Sequence, residues 1–131
     1  MLIKKFHIYL ESKKDKFPNI KKIDIDGFTV YIGKDAKSND YLTFNMANKD
    51  DIWFHVKGFP GSHVIIKVRE KLPTESVIKE VASIAKKNSK ASKEEIVNVV
   101  YCKQKFVKKQ KGMNDGQVEV DYINANEIII N

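Results

Sequence analysis

A single cysteine, a single tryptophan and a single arginine occur in this chain of 131 residues. With Cys102 alone, no internal disulfide can form, and a lone thiol fits a reducing compartment. No apolar run approaches the roughly 20 residues that span a bilayer. The first ten residues carry Lys4, Lys5 and His7 among apolar neighbours and show no small-residue cleavage pattern, so they do not read as a signal peptide. Close-spaced Cys/His pairs are absent, which removes the common zinc patterns. No internal repeat and no long Pro/Gly/Ser linker divides the chain, and its length fits a single domain. These absences lead to the expectation of a cytoplasmic protein with no membrane partner.

What is abundant is lysine. The formal net charge is +7, and Arg69 is the only arginine among 24 basic residues. Lysine is a flexible point charge, whereas arginine makes planar, bidentate contacts with phosphates and bases. A nucleic acid held by this chain would therefore meet mainly phosphate-neutralising ammonium groups. A lysine-rich surface that serves only solubility explains the charge equally well.

Local patterns give an α+β protein: a mainly antiparallel sheet of hairpins with one long and one short helix. Residues 1–10 read as a strand and 11–19 as a loop. Ile23 and Ile25, then Phe28 to Ile32, alternate around Asp26-Gly27, a hairpin signal because both turn positions favour positive φ. Gly33 to Asp40 reads as a polar loop, followed by a short helix over Tyr41 to Ala47 capped by Asn39. Residues 51–57 and 63–68 form a second expected hairpin, closed by a type II turn at Pro60-Gly61. Thr74 is positioned to cap a helix over residues 75–88, with Val77, Val81 and Ile84 on its apolar stripe. A strand over 96–102 follows, and 117–122 with 127–130 read as a last hairpin.

The chemistry concentrates in Asp51 to Ile66. Trp53, His55 and Lys57 project from one face of their strand, an arrangement that can stack a base while neutralising its phosphate. Gly61 and Ser62 offer backbone N–H groups that could cradle an anion. A tryptophan on a strand is, however, more often core than a base platform. The second feature is Lys103, Lys105, Lys108, Lys109 and Lys111, five lysines in an acid-free stretch with Phe106 interleaved. It fits a rim that tracks phosphates and equally a solvated loop. Lysines 86, 87, 90 and 93 complement the helix dipole and need no ligand to explain them. His55, His63 and Cys102 are too few and too scattered for a zinc site, and no cofactor is expected.

The run Asp51-Ile52-Trp53-Phe54-His55-Val56-Lys57-Gly58-Phe59-Pro60-Gly61-Ser62-His63-Val64-Ile65-Ile66 closely resembles the central motif of the NFACT-R domain. Upstream, Gly33 to Leu42 resembles the family's G-R-N/D-x-x-x-N-D/E-x-L loop, with Lys34 where arginine is usual. Downstream, Ser89-Lys90-Ala91 and Phe106 to Val118 resemble its S-K-A and V-K-K-x-K-G-x-x-P-G-x-V segments, with Asp115 in place of proline. The resemblance covers about residues 27–130. It implies a domain that binds RNA, found in ribosome-quality-control factors and as free-standing small proteins, of which this chain is expected to be one.

The resemblance implies a non-catalytic RNA-binding module for tRNA or ribosomal RNA, in ribosome quality control or RNA modification. The residues expected to touch RNA are Lys34, Trp53, His55, Lys57, Ser62, His63, Lys67, Lys103, Lys105, Lys108, Lys109 and Lys111. Two alternatives stand beside it. One is a subunit that docks onto an RNA-modification enzyme or the ribosome. The other is a small RNA-processing enzyme using His55 and His63 as acid and base.

Overall fold

The computed structural model describes residues 16–131. The strand expected over 1–10 lies outside them. The α+β expectation holds: β1 (Ile20–Ile25), β2 (Phe28–Gly33), β3 (Ile52–Val56), β4 (Val64–Ile66), β5 (Val97–Lys103) and β8 (Asn126–Ile130) form one antiparallel sheet in the order β1-β2-β4-β3-β5-β8, and β6 (Val107–Lys108) and β7 (Glu119–Val120) form a separate two-stranded arm.

The first hairpin joins β1 (Ile20–Ile25) to β2 (Phe28–Gly33). Asp26 and Gly27 both take positive φ, 51° and 86°, as the Asp-Gly turn requires. The short helix α1 (Ala36–Tyr41) starts earlier than expected and is capped by Asp35, whose carboxylate accepts from the Ser38 N–H. It runs on through a wider turn over Leu42–Met46. Asn39 is not the cap. It is buried within α1, and its side chain serves tertiary contacts described below.

The expected second hairpin forms between β3 (Ile52–Val56) and β4 (Val64–Ile66), with Trp53 opposite Ile65. Its closing turn differs from expectation. The positive φ falls at Gly58, not at Gly61, so Pro60-Gly61 is not a type II turn. Gly61 is needed for close approach instead: a Cβ there would lie 2.5 Å from the Ser89 Cβ. Buried Asp51 secures the base of the hairpin. Its carboxylate accepts from the Asn48 and Val68 N–H groups and from the Lys67 ammonium.

Helix α2 (Glu75–Lys87) is capped by Thr74 as expected and is 13 residues long. Val77, Ile78, Val81, Ala82 and Ala85 pack on Phe54, Val56, Val64 and Ile66, forming the main core on one face of the sheet. Full burial of each large apolar side chain contributes roughly 1.5–3 kcal/mol. The opposite face carries a smaller cluster of Leu42, Trp53, Ile65, Val100, Cys102 and Val107.

The C-terminal segments do not form the expected last hairpin. Strand β8 (Asn126–Ile130) pairs with β5 (Val97–Lys103), and β7 (Glu119–Val120) pairs with β6 (Val107–Lys108). Residues 122–124 make a short 3₁₀ turn between them.

Candidate functional site

Side chains alternate across a strand, so Trp53, His55 and Lys57 share the face of β3 turned away from α2. Immediately before β4 the same alternation brings His63 to that side. The result is a triangle of rings, with centroids 5.8 Å apart for Trp53–His55, 5.2 Å for Trp53–His63 and 5.4 Å for His55–His63. The triangle borders a cleft of about 1130 Å³ between the β3–β4 turn, the start of α1, the end of α2 and the β6–β7 loop.

Four lysines line this cleft, Lys34, Lys57, Lys87 and Lys90, against two acids, Asp35 and Asp115. Lys34 reaches across to the Asn88 side chain at 2.9 Å. Lys57 pairs with Glu127 at 3.1 Å and lies over the Tyr122 ring. Lys87 and Lys90 make no ion pair among the described residues. Sequence reasoning assigned these two lysines to the helix dipole, because nothing local shows that the end of α2 meets the β3–β4 turn.

The three ring residues differ in character. Trp53 is 1% exposed, so its ring is packed rather than presented as a stacking platform, and its indole N–H has no hydrogen-bond partner among the described residues. His55 is partly exposed, its Nδ1 is likewise unpartnered, and burial pushes its pKa down. His63 is buried, and its Nδ1 is 2.8 Å from the Thr43 hydroxyl. Its pKa is lowered to about 3, first by burial and then by neighbouring His55. Both imidazoles are therefore neutral near pH 7.

Asn39 and Thr43 support this floor; Asn39 is a motif position of the Gly33–Leu42 loop, but nothing local marks its contacts, and no signal marks Thr43. The Asn39 Oδ1 accepts from the His63 N–H at 3.0 Å, and its Nδ2 donates to the Gly61 carbonyl at 3.3 Å. The same side chain explains Gly33, where a Cβ would come within 2.0 Å of Asn39 Oδ1. The expected anion cradle at the turn is not available as drawn. The Ser62 N–H donates to the Asn88 carbonyl at 3.0 Å.

The remaining expected residues lie elsewhere. Lys67 is tied to buried Asp51, with its side chain only 15% exposed. Lys103 is exposed and pairs loosely with Asp50 at 3.7 Å. Lys105 and Lys108 line a separate depression of about 460 Å³ beside Phe44 and Asn45. Lys109 also borders it but turns inward to Asp40 at 2.9 Å. Lys111 is exposed on the β6–β7 loop. The basic block thus reaches the cleft only through the loop that follows it. Among the described residues no three His, Cys, Asp or Glu side chains gather to hold a metal ion, and no helix is long and apolar enough to cross a membrane.

The profile of the NFACT protein RNA binding domain matches residues 6–121. The chain is 45% identical over 95 residues to the Rqc2 homolog RqcH of Bacillus subtilis, covering 72% of this chain and 16% of that protein. It is 34% identical over 101 residues to coiled-coil domain-containing protein 25 of Bos taurus, covering 73% of this chain and 48% of that one. A solved structure, the C-terminal part of the fibronectin/fibrinogen-binding protein from Streptococcus suis, superimposes with a TM-score of 0.75 at 28% identity. That match covers 95% of this chain and 54% of the other. The chain thus spans about a sixth of the RqcH protein and about half of the coiled-coil relative. With the family profile matching most of its length, the chain belongs to the NFACT RNA-binding domain family.

Proposed function

We propose that this chain is a non-catalytic, cytoplasmic RNA-binding module that holds tRNA or ribosomal RNA in ribosome quality control or RNA modification. One observation carries the reading: in a member of an RNA-binding domain family, four lysines converge on a cleft bordered by Trp53, His55 and His63. Ammonium groups around an open cleft neutralise phosphates, while the partly exposed His55 ring is the one of the three that can meet an unstacked base. The RqcH relatives support a ribosomal setting.

The neutral histidines argue against acid–base chemistry. A general acid must be protonated near the working pH; burial lowers the pKa of both imidazoles and takes that of His63 to about 3, which rules His63 out as the acid. The docking alternative draws on different residues. Ile96 and Ile129, 64% and 63% exposed, lie at the β5–β8 edge of the sheet.

The test is a titration of labelled total tRNA at several salt concentrations. Engagement of about 4–6 phosphates gives a slope of log K against log salt of roughly −3 to −4, taking about 0.7 per phosphate. Replacing Lys34, Lys57, Lys87 and Lys90 by alanine makes the slope shallower. If wild-type protein binds tRNA no better than a neutral control protein at about 0.1 M salt, the ordinary ionic range for such interactions, the RNA reading fails.

A further inference from the structure

Lys108 and Lys109 are neighbours in one basic block, yet the structure uses them differently. Lys108 is exposed and makes no ion pair among the described residues. An ammonium group has three N–H donors. The Lys109 ammonium directs them to the Asp40 carboxylate at 2.9 Å, the Gln117 carbonyl at 2.8 Å and the Asn114 carbonyl. Its side chain is 28% exposed, compared with 50% for Lys103. All three donors of Lys109 are thus engaged within the protein, although the residue lies at the surface as Lys108 does.

These contacts fasten the loop of the β6–β7 arm, residues 109–118, to α1. A second fastening lies at Gly116, whose φ is +82° and where a Cβ would stand 3.1 Å from the Ala36 Cβ. Within the loop, Asn114 and Gln117 close a turn, with the Asn114 N–H donating to the Gln117 side chain at 3.1 Å. The fastened loop forms one wall of the cleft, with Met113, Gly116 and Val118 facing it. Val118 and Val120 also pack on the cluster that contains Trp53.

We propose that Lys109 is the positioning residue of the cleft: it serves ligand binding by fixing the β6–β7 loop as a wall beside His63 and Trp53, and not by touching phosphate. The ligand half of this proposal rests on the RNA reading above. The wall half does not.

The experiment compares Lys109→Met, Lys109→Arg and Asp40→Asn with the double variant Lys105→Ala/Lys108→Ala. All are first checked by thermal melting, and Asp40→Asn breaks the same latch should Lys109→Met fail to fold. Without RNA, two readouts report the wall. Emission from Trp53, the only tryptophan in the sequence, shifts to the red in Lys109→Met and Asp40→Asn, and amide exchange over 112–117 accelerates at least about tenfold. Lys109→Arg, which keeps the charge and donors, restores most of both signals. With total tRNA, Lys109→Met and Asp40→Asn weaken binding on the order of tenfold while the salt slope stays as in wild type. Lys105→Ala/Lys108→Ala lowers the slope by about 1.4, at about 0.7 per phosphate. The proposal is overturned if Lys109→Met leaves emission and exchange unchanged. It is equally overturned if that variant loses about 0.7 of slope while Asp40→Asn binds as tightly as wild type. If wild-type protein binds no RNA, the functional reading falls, and emission and exchange still decide whether Lys109 holds the wall.

Discussion

The two faces of the sheet are built on different terms. Under α2, the cluster around Phe54, Val56, Val64 and Val81 is apolar throughout. On the other face, Trp53 and Ile65 share their surroundings with His55, His63, Thr43 and Asn39. Three buried side-chain polar atoms among the described residues lack a hydrogen-bond partner, and all belong to this second side: Trp53 Nε1, His55 Nδ1 and Asp40 Oδ1. Each such group typically costs about 1–3 kcal/mol. The difference teaches where the molecule tolerates local frustration. The α2 face supplies packing, and the cleft face carries polar groups that packing alone would exclude.

The sharpest way to break this comparison is to cut into the α2 face. Phe54→Ala removes a fully buried ring and is expected to lower folding stability by about 3–5 kcal/mol in a denaturant titration. A loss under about 1 kcal/mol would show that this face is not the main source of stability.

Acid should act on the other face. The His63 pKa lies at about 3 when folded and at the ordinary value of 6.5 when unfolded. Below 6.5 the unfolded chain binds the extra proton, so stability falls as pH drops. Between pH 7 and pH 5 the expected loss is about 2 kcal/mol, and His55 adds to it in the same direction. Unfolding free energies measured across that window check the sign. In His63→Gln the slope should flatten, and an unchanged slope would locate the effect elsewhere.

The smallest effect belongs to Trp53→Phe. It removes an unpartnered N–H while keeping an aromatic ring, so the packing loss is partly offset. The expected cost is no more than about 1.5 kcal/mol, well below that of Phe54→Ala. A cost near 4 kcal/mol, in the range of a ring deletion, would mean that the indole N–H is satisfied and that the two faces are more alike than they look.

Much of the fold is legible where a residue's role is local. Asp26-Gly27 sets its own turn, and Thr74 caps the helix that begins beside it. The alternation in β3 correctly placed Trp53, His55 and Lys57 on one face, but alternation does not say what covers that face. Asn39 was misread as a cap because its partners, Gly61 and His63, are remote in sequence and its helix is capped by Asp35. The alternating residues 117–122 fit a hairpin with 127–130 as well as they fit β6, and only the sheet order decides between them. Lys109 reads like Lys108 in the sequence, since an inward turn to Asp40 leaves no local mark. Lys87 and Lys90 had a sufficient local explanation, and the cleft they line is assembled only by the fold.

The order of the strands also sets a schedule. Hairpins β1–β2 and β3–β4 close between near neighbours, so they can form early. Joining them requires Val30 to find Ile66, and β5 must then travel to Trp53 from Cys102. Such distant pairings slow folding. The arm that walls the cleft is made after β5, and the sheet is finished only when β8 reaches Val99 through Ile128. The two hairpins therefore close over shorter stretches of chain than the cleft, whose wall is supplied by residues 113–122. The hairpin that carries Trp53, His55 and His63 thus depends for its wall on contacts across long stretches of chain, which are expected to form after the hairpins do.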